Sequence, residues 1–241
     1  MVSRDSLVPS RESMTRSEQV TFGAIVVAGL LLVVGMAIGA VSPAYLAFLV
    51  GLGAMYALLS LGLNAQWGYT GLINFSVAAF FGIGAYGSAL MTADSSPIAG
   101  GFNPLVGLVV ALLLTAILAI LIGIPTLQLR ADYLAIASLG LAEVVRLVAL
   151  NERQWTNGSA GVRGVPTFFE GWPVLETLPE TLPQISLEIV PGSPIVLGQP
   201  FYGAFLDLVV VAAFLLASYA VLKRVHRSPW GRVLRAVPSE A

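Results

Sequence analysis

The chain has 241 residues and a formal net charge of −1; it is 57% hydrophobic, only 10% charged, and has a mean hydropathy of +0.87. Soluble domains carry roughly 25% charged residues, so this is the composition of a membrane protein, and a near-neutral balance with no basic face excludes a nucleic-acid partner. With no cysteine and a single histidine, His226, disulfides, thiolate nucleophiles and imidazole metal clusters are excluded as well, and no catalytic set remains from which to assemble an enzyme.

Taken in chain order, residues 1–21 mix Arg4, Arg11 and Arg16 with Asp5, Glu12 and Glu18 and read as a polar tail. The apolar run that follows exceeds the ~7–15 residues of a signal-peptide core, which makes it an uncleaved first span. A hydrocarbon core about 30 Å thick takes ~20 apolar residues of helix. Six runs approach that length: 22–41, 44–63, 72–91, 104–124, 133–150 and 203–222, the fifth interrupted by Glu143 and Arg146 and the last by Asp207 alone. The expected fold is therefore all-α and polytopic, with six spans and both termini on one side of the membrane.

Basic residues near span ends stay in the cytoplasm. With both termini inside, the tail 1–21, the turn after the fourth span and the segment 223–241 hold Arg4, Arg11, Arg16, Arg130, Lys223, Arg224, Arg227, Arg232 and Arg235, nine of the twelve basic residues. Between the last two spans lies an external segment, 151–202, that contains seven of the fourteen prolines. A connection this long is uncommon unless it has a function. It carries "NGS" at Asn157 to Ser159, formally a glycosylation acceptor, a match too short to decide anything.

Gly82, Gly84 and Gly87 spell G-x-G-x-x-G, the pattern of a dinucleotide-binding turn. That turn requires a strand before it and a ribose-binding carboxylate about 20 residues after it. Here the glycines lie inside an apolar run, and after Asp94 the next acid is Asp132, so nucleotide binding is excluded. Small residues inside a span instead let helices approach closely in lipid. Ala78, Gly82, Ala85 and Ala89 share one helical face, and Gly35 with Gly39 forms a G-x-x-x-G in the first span; both are expected to be packing surfaces.

Two polar features stand at membrane depth. Glu143 and Arg146 are three apart and share a helix face, where they can pair; ionisable groups in a span mark either a pathway or a structural ion pair. The stretch "LNAQWGYTGLINFS", residues 63–76, gathers Asn64, Gln66, Tyr69, Thr70, Asn74 and Ser76 around Gly68 and Gly71 without a charge. It is expected either to form an ordinary turn or to dip into the bundle, where irregular backbone is tolerated when it lines a cavity.

Four segments in order, "GLNAQWGYTGLINFSVAAFFGIGAYGSAL" (62–90), "ADYLAIASLGLAEVVRLVALN" (131–151), "WTNGSAGVRGVP" (155–166) and "SPWGRVLRA" (228–236), resemble the permease subunits of ATP-binding-cassette importers for branched-chain amino acids. The resemblance implies a pore-forming chain in the prokaryotic plasma membrane, working by alternating access. Its implied partners are a second permease subunit, two cytoplasmic ATPase subunits, an extracytoplasmic substrate-binding protein and the small-molecule substrate. No cofactor is expected in this chain: ATP and magnesium would belong to the ATPase, and no G-x-x-x-x-G-K-[ST] occurs here. The segment 223–241 would couple to the ATPase, with Ser228 and Pro229 starting a docking helix and Gly231, Arg232 and Arg235 carrying the contact. Residues 155–166 would lie beneath the binding protein, and 62–76 would border the pathway.

Two departures qualify the match. Val77 stands where many relatives have histidine, and relatives continue past the coupling segment, so a shortened or split permease is expected. An importer for urea, short amides or another small solute would keep the same motifs, and an ATP-independent secondary transporter or channel is the remaining alternative.

Overall fold

The computed structural model describes residues 16–126, 129–229 and 231. Six long helices carry the architecture: α1 (Arg16–Ala37), α2 (Pro43–Thr70), α3 (Ser76–Thr92), α4 (Pro104–Thr126), α5 (Ala131–Asn151) and, after two single-turn helices, α6 (Arg153–Thr156) and α7 (Leu178–Thr181), the last long helix α8 (Gln199–Arg227). Five of the six long helices are long and apolar enough to cross a membrane, and α3, with 17 residues, is the short one. At 1.5 Å per residue α3 rises about 26 Å, near the lower limit for a span. The chain is thus a polytopic helical membrane protein.

The helices form two groups, α2 packed along α8, and α3 packed against α4 and α5. Their surfaces are turned outward in the manner of a lipid-facing protein: Leu121, Ile136 and Leu216 are 67%, 70% and 66% exposed, while the buried apolar residues include Ala47, Ala79 and Ala93. Small side chains occupy the contacts because lipid tails are as apolar as leucine, and only close packing draws helices together.

The closest approach joins α3 to α4. A Cβ at Gly107 would stand 2.5 Å from Thr92 Cγ2 and 2.8 Å from Ser88 Oγ, and one at Gly87 would lie 3.3 Å from Leu114 Cδ2 and 3.5 Å from the Ala111 backbone. A Cβ at Gly84 would lie 3.2 Å from Thr115 Oγ1. Of the small face expected on α3, Gly82 looks toward Val145 of α5 and Ala85 is exposed. Two glycines of the formal nucleotide motif, Gly84 and Gly87, therefore lie in the contact of α3 with α4.

The expected G-x-x-x-G of the first span needs correction. Helix α1 ends at Ala37, and Gly39 has φ 74°. The Gly39 N–H donates to Met36 O (3.1 Å) and the Ala40 N–H to Gly35 O (2.8 Å), which is a Schellman ending with the glycine at the left-handed position. Gly39 stops the helix and does not continue a packing face along it.

Other boundaries also move. The third span was expected to start at residue 72, but α3 starts at Ser76 because residues 71–75 are non-helical. Helix α8 extends from Gln199 to Arg227, so the coupling segment expected from 223 begins as a continuation of that helix. The external segment is not purely irregular: β1 (Ile185–Val190) pairs antiparallel with β2 (Ser193–Leu197), Ile185 opposite Leu197 and Val190 opposite Ser193, with an irregularity between Glu188 and Val190. Pro191 and Gly192 turn the hairpin, and Gly192 has φ 83°, the conformation a Pro-Gly turn requires.

The inter-helix segments expected outside meet at one end of the bundle. Ser193 of the hairpin lies within 3.4 Å of the position a Gly39 Cβ would take. The Asp94 N–H donates to Gly164 O (3.2 Å) and Ser95 Oγ to Arg163 O (2.7 Å).

Candidate functional site

At the opposite end, the polar stretch 63–76 divides into two parts. Helix α2 runs on through Trp67 to Thr70, and Gly71, with φ 71°, returns its N–H to Trp67 O. The chain then climbs as an open link to α3. The Phe75 N–H donates to Ser138 Oγ at 2.9 Å, and the Ser76 N–H to Asn74 Oδ1 at 3.0 Å. Ser138 lies seven residues into α5, about 10 Å along its axis, so the link is drawn into the bundle and is not an ordinary surface turn. A backbone N–H outside the helical ladder still needs an acceptor, and Ser138, 2% exposed, supplies it while donating to Ala135 O.

A cavity of about 320 Å³ opens beside this link, lined by Gln66, Asn74, Ser76, Thr126 and Ser138 among apolar side chains of α3, α4 and α5. Three residues expected at the pathway are therefore brought together, and two further hydroxyls, Thr126 and Ser138, join them. Thr126 Oγ1 donates to Ile122 and Gly123 carbonyls (3.0 and 2.8 Å), in the turn that contains Pro125. Neutral hydrogen-bonding groups set in apolar walls are the usual lining of a small-molecule pocket. Asn64 is exposed on α2, away from the cavity lining, and the side chains of Tyr69 and Thr70 lie outside the described set.

Ser138→Ala is expected to destabilise the protein by ~0.5–1.5 kcal/mol, the net worth of one such hydrogen bond. Thermal unfolding together with hydrogen exchange at Phe75 checks it; an unchanged midpoint and unchanged Phe75 protection would deny that Ser138 holds the link.

Glu143 and Arg146 form a two-pronged ion pair on α5, Arg146 Nη2 to Glu143 Oε1 at 2.6 Å and Nε to Oε2 at 2.8 Å, both side chains more than half exposed. They border a groove between α5 and α3 with Ala78, Gly82 and Tyr86, separate from the cavity at the link. Each partner makes the other tolerable at membrane depth. Arg146→Ala is expected to lower the yield of inserted protein markedly, and the double change Glu143→Gln with Arg146→Gln to restore most of it. Equal loss in the single and double variants would show that the two side chains do not act as a pair.

The segment "WTNGSAGVRGVP" is a run of tight turns. Asn157, Gly158, Gly161 and Gly164 all have positive φ, which explains three of its glycines directly. Asn157 Nδ2 donates to Gly161 O at 2.8 Å, and Thr156 Oγ1 donates to Ala149 O (2.9 Å) and Glu152 O (2.7 Å), tying the turns to the end of α5.

At the other terminus, Ser228 closes α8 in extended conformation, its Oγ donating to Val225 O at 2.6 Å. The Gly231 N–H donates to Ser228 O at 3.1 Å, and a Cβ on Gly231 would meet the Val225 and His226 carbonyls at 2.6 and 2.5 Å. Pro229 and Gly231 are thus folded back onto the end of α8, while Arg232 and Arg235 lie outside the described residues.

Comparison with known proteins decides the family. The family model of the branched-chain amino acid transport system permease component matches residues 45–240. The chain belongs to this permease family. Among curated proteins, this permease chain is 31% identical over 195 residues to the high-affinity branched-chain amino acid transport system permease protein LivM of Escherichia coli (strain K12), covering 76% of the chain and 41% of that protein. It is 39% identical over 112 residues to the protein of the same name from Salmonella typhimurium (strain LT2), covering 46% of the chain and 25% of that protein. With the probable branched-chain amino acid transport permease protein LivM of Methanocaldococcus jannaschii it shares 27% identity over 212 residues, 76% of the chain and 53% of that protein. The permease chain thus spans about half or less of the relatives it matches. No solved structure matches it.

The permease has one further polar feature, in α8. Asp207, noted above as an interruption of the last span, lines a cavity together with Phe168. Its isolation in an apolar run was the available signal.

Proposed function

We propose that this chain is a transmembrane permease subunit of an ATP-driven importer for branched-chain amino acids, with the end that gathers residues 93–103 and 152–198 extracytoplasmic and both termini cytoplasmic. The observation that carries the reading is the family match over residues 45–240. In support, the motif segments of that region form a bundle with a cavity at one end and a strapped set of turns at the other. In this reading substrate arrives from an extracytoplasmic binding protein above residues 155–166. It passes through the bundle with a second permease subunit completing the path, and leaves past Gln66, Asn74 and Ser76. Two ATPase subunits, which hold ATP and magnesium, act on the segment that follows α8, with Arg232 and Arg235 in contact.

The test is uptake of radiolabelled leucine in cells that express the chain with its neighbouring transport subunits and lack other leucine importers. Leucine, isoleucine and valine are expected to compete and urea not to, and loss of the ATPase subunit is expected to abolish uptake. Competition by urea alone would reassign the substrate, and uptake that survives ATPase loss but collapses with the proton gradient would replace the mechanism.

A further inference from the structure

A second cavity, of about 380 Å³, lies between α2 and α8 beneath residues 166–168, and Asp207 is its one ionisable lining residue. Apart from Thr167 the other walls are apolar, among them Phe48, Leu52, Met55, Phe168 and Val211. The volume falls within the ~300–1,000 Å³ of small-molecule sites, which pair apolar walls with a few polar groups.

A carboxylate in a span is costly and calls for a partner. Among the described residues the one ion pair is Glu143 with Arg146, so Asp207 has no basic partner there. An ionised carboxylate has about four lone-pair sites, which leaves room for an ammonium. The surroundings favour such a guest: from residue 164 to residue 222 the chain holds Glu170, Glu176, Glu180, Glu188 and Asp207 and not one lysine or arginine. A surface of one sign draws the opposite charge. The Phe168, Phe169 and Trp172 rings, stacked edge to face at 5.3 and 6.0 Å, stiffen the segment that roofs the cavity.

We propose that this cavity is an ammonium-binding vestibule, in which Asp207 holds the charged amine of a small hydrophobic amino acid while the walls of α2 and α8 take its side chain. The inference rests on the transport reading above and adds the site at which substrate enters. Because none of the residues lining the cavity is basic, the carboxylate of the guest faces the open mouth and contributes little, so the amine and the hydrocarbon together are the recognised unit.

The experiment uses the full chain in lipid nanodiscs and three probes: L-leucine, 3-methylbutylamine (leucine without its carboxylate) and 4-methylpentanoate (leucine without its amine). Leucine and 3-methylbutylamine are expected to raise the unfolding temperature saturably, and 4-methylpentanoate to leave it unchanged. Asp207→Asn keeps the shape and a carbonyl acceptor and loses the charge; it is expected to keep the ligand-free unfolding temperature and weaken amine binding at least tenfold. Val211→Phe fills the cavity with Asp207 intact and is expected to abolish the response, which provides a reading should the Asn variant fold poorly. No response to the amine in the unaltered protein, an undiminished response in either variant, or stabilisation by 4-methylpentanoate would each overturn the proposal. Leucine uptake that persists without an Asp207-dependent amine response sinks the vestibule alone, whereas loss of uptake with the response intact sinks the transport reading.

Discussion

Gly107→Leu is expected to abolish the folded protein, and Gly107→Ala to destabilise it by about 1–3 kcal/mol, the usual cost of overpacking a tight contact. The reason is local. A Cβ at residue 107 would sit 2.5 Å from Thr92 Cγ2, and Thr92 is 3% exposed with its hydroxyl donating to Ser88 O at 3.0 Å. That side chain cannot swing aside without breaking its hydrogen bond, so α3 and α4 must separate. Helix pairs in lipid have no hydrophobic drive to absorb the separation. Gly53→Ala is the control: nothing lies within 4 Å of a Cβ there, and the better helix propensity of alanine, worth ~0.8–1 kcal/mol, makes a neutral or slightly stabilised protein the expected result. Unfolding temperatures of the three variants in one detergent decide the matter. Equal behaviour of Gly107→Ala and Gly53→Ala would refute the close-contact account.

The double change Arg232→Glu with Arg235→Glu is expected to lower ATP-driven uptake at least tenfold while leaving insertion and yield unchanged. Reversing charge at a docking contact changes recognition, since juxtaposed like charges cost several kcal/mol. What makes the effect large is the junction before it: Ser228 and Gly231 fold back onto the carbonyls that end α8, so movement of this segment is passed to a 29-residue helix. Co-purification of the ATPase with each variant is the measurement. Undiminished association and uptake would remove the coupling role from these arginines.

Much of the bundle was legible in the residues. Each long apolar run became a helix over most of its length, because a stretch such as 104–124 offers no charge and, beside its apolar side chains, only the Thr115 hydroxyl, and has only one way to satisfy its backbone in lipid. Boundaries were harder wherever a backbone device overrode the run. Gly39 looked like the second half of a packing motif, yet the left-handed conformation that glycine permits ended the helix. Leu72 and Ile73 extended an apolar run, but the Ser138 hydroxyl, sixty-odd residues away, claimed the Phe75 N–H instead of a helical carbonyl. The β1–β2 hairpin carried a visible signal, "ISLEIVPGSPIVL" with Pro-Gly at its turn, which the proline count of its neighbourhood obscured. At the sites, Gln66, Asn74 and Ser76 could be grouped from their shared polar stretch, whereas Thr126 and Ser138 joined them only through the packing of α4 and α5. Asp207 was recognisable as a lone acid, but its place under residues 166–168 depended on the fold of a loop that no periodicity describes.

The pairing of α2 with α8 also has a consequence for biogenesis. Residues 71–198 separate the two helices, and at ~5–20 residues per second of synthesis α2 waits on the order of ten seconds in the membrane before its partner leaves the ribosome. During that interval α3, α4 and α5 can already assemble from contacts near in sequence. The first span is held back longer still, because its end meets Ser193 of a hairpin made late in translation. A nascent chain arrested just before residue 193 is therefore expected to hold a three-helix core of α3, α4 and α5 with α1 and α2 still without their late partners, which makes those two the natural clients of an insertion chaperone.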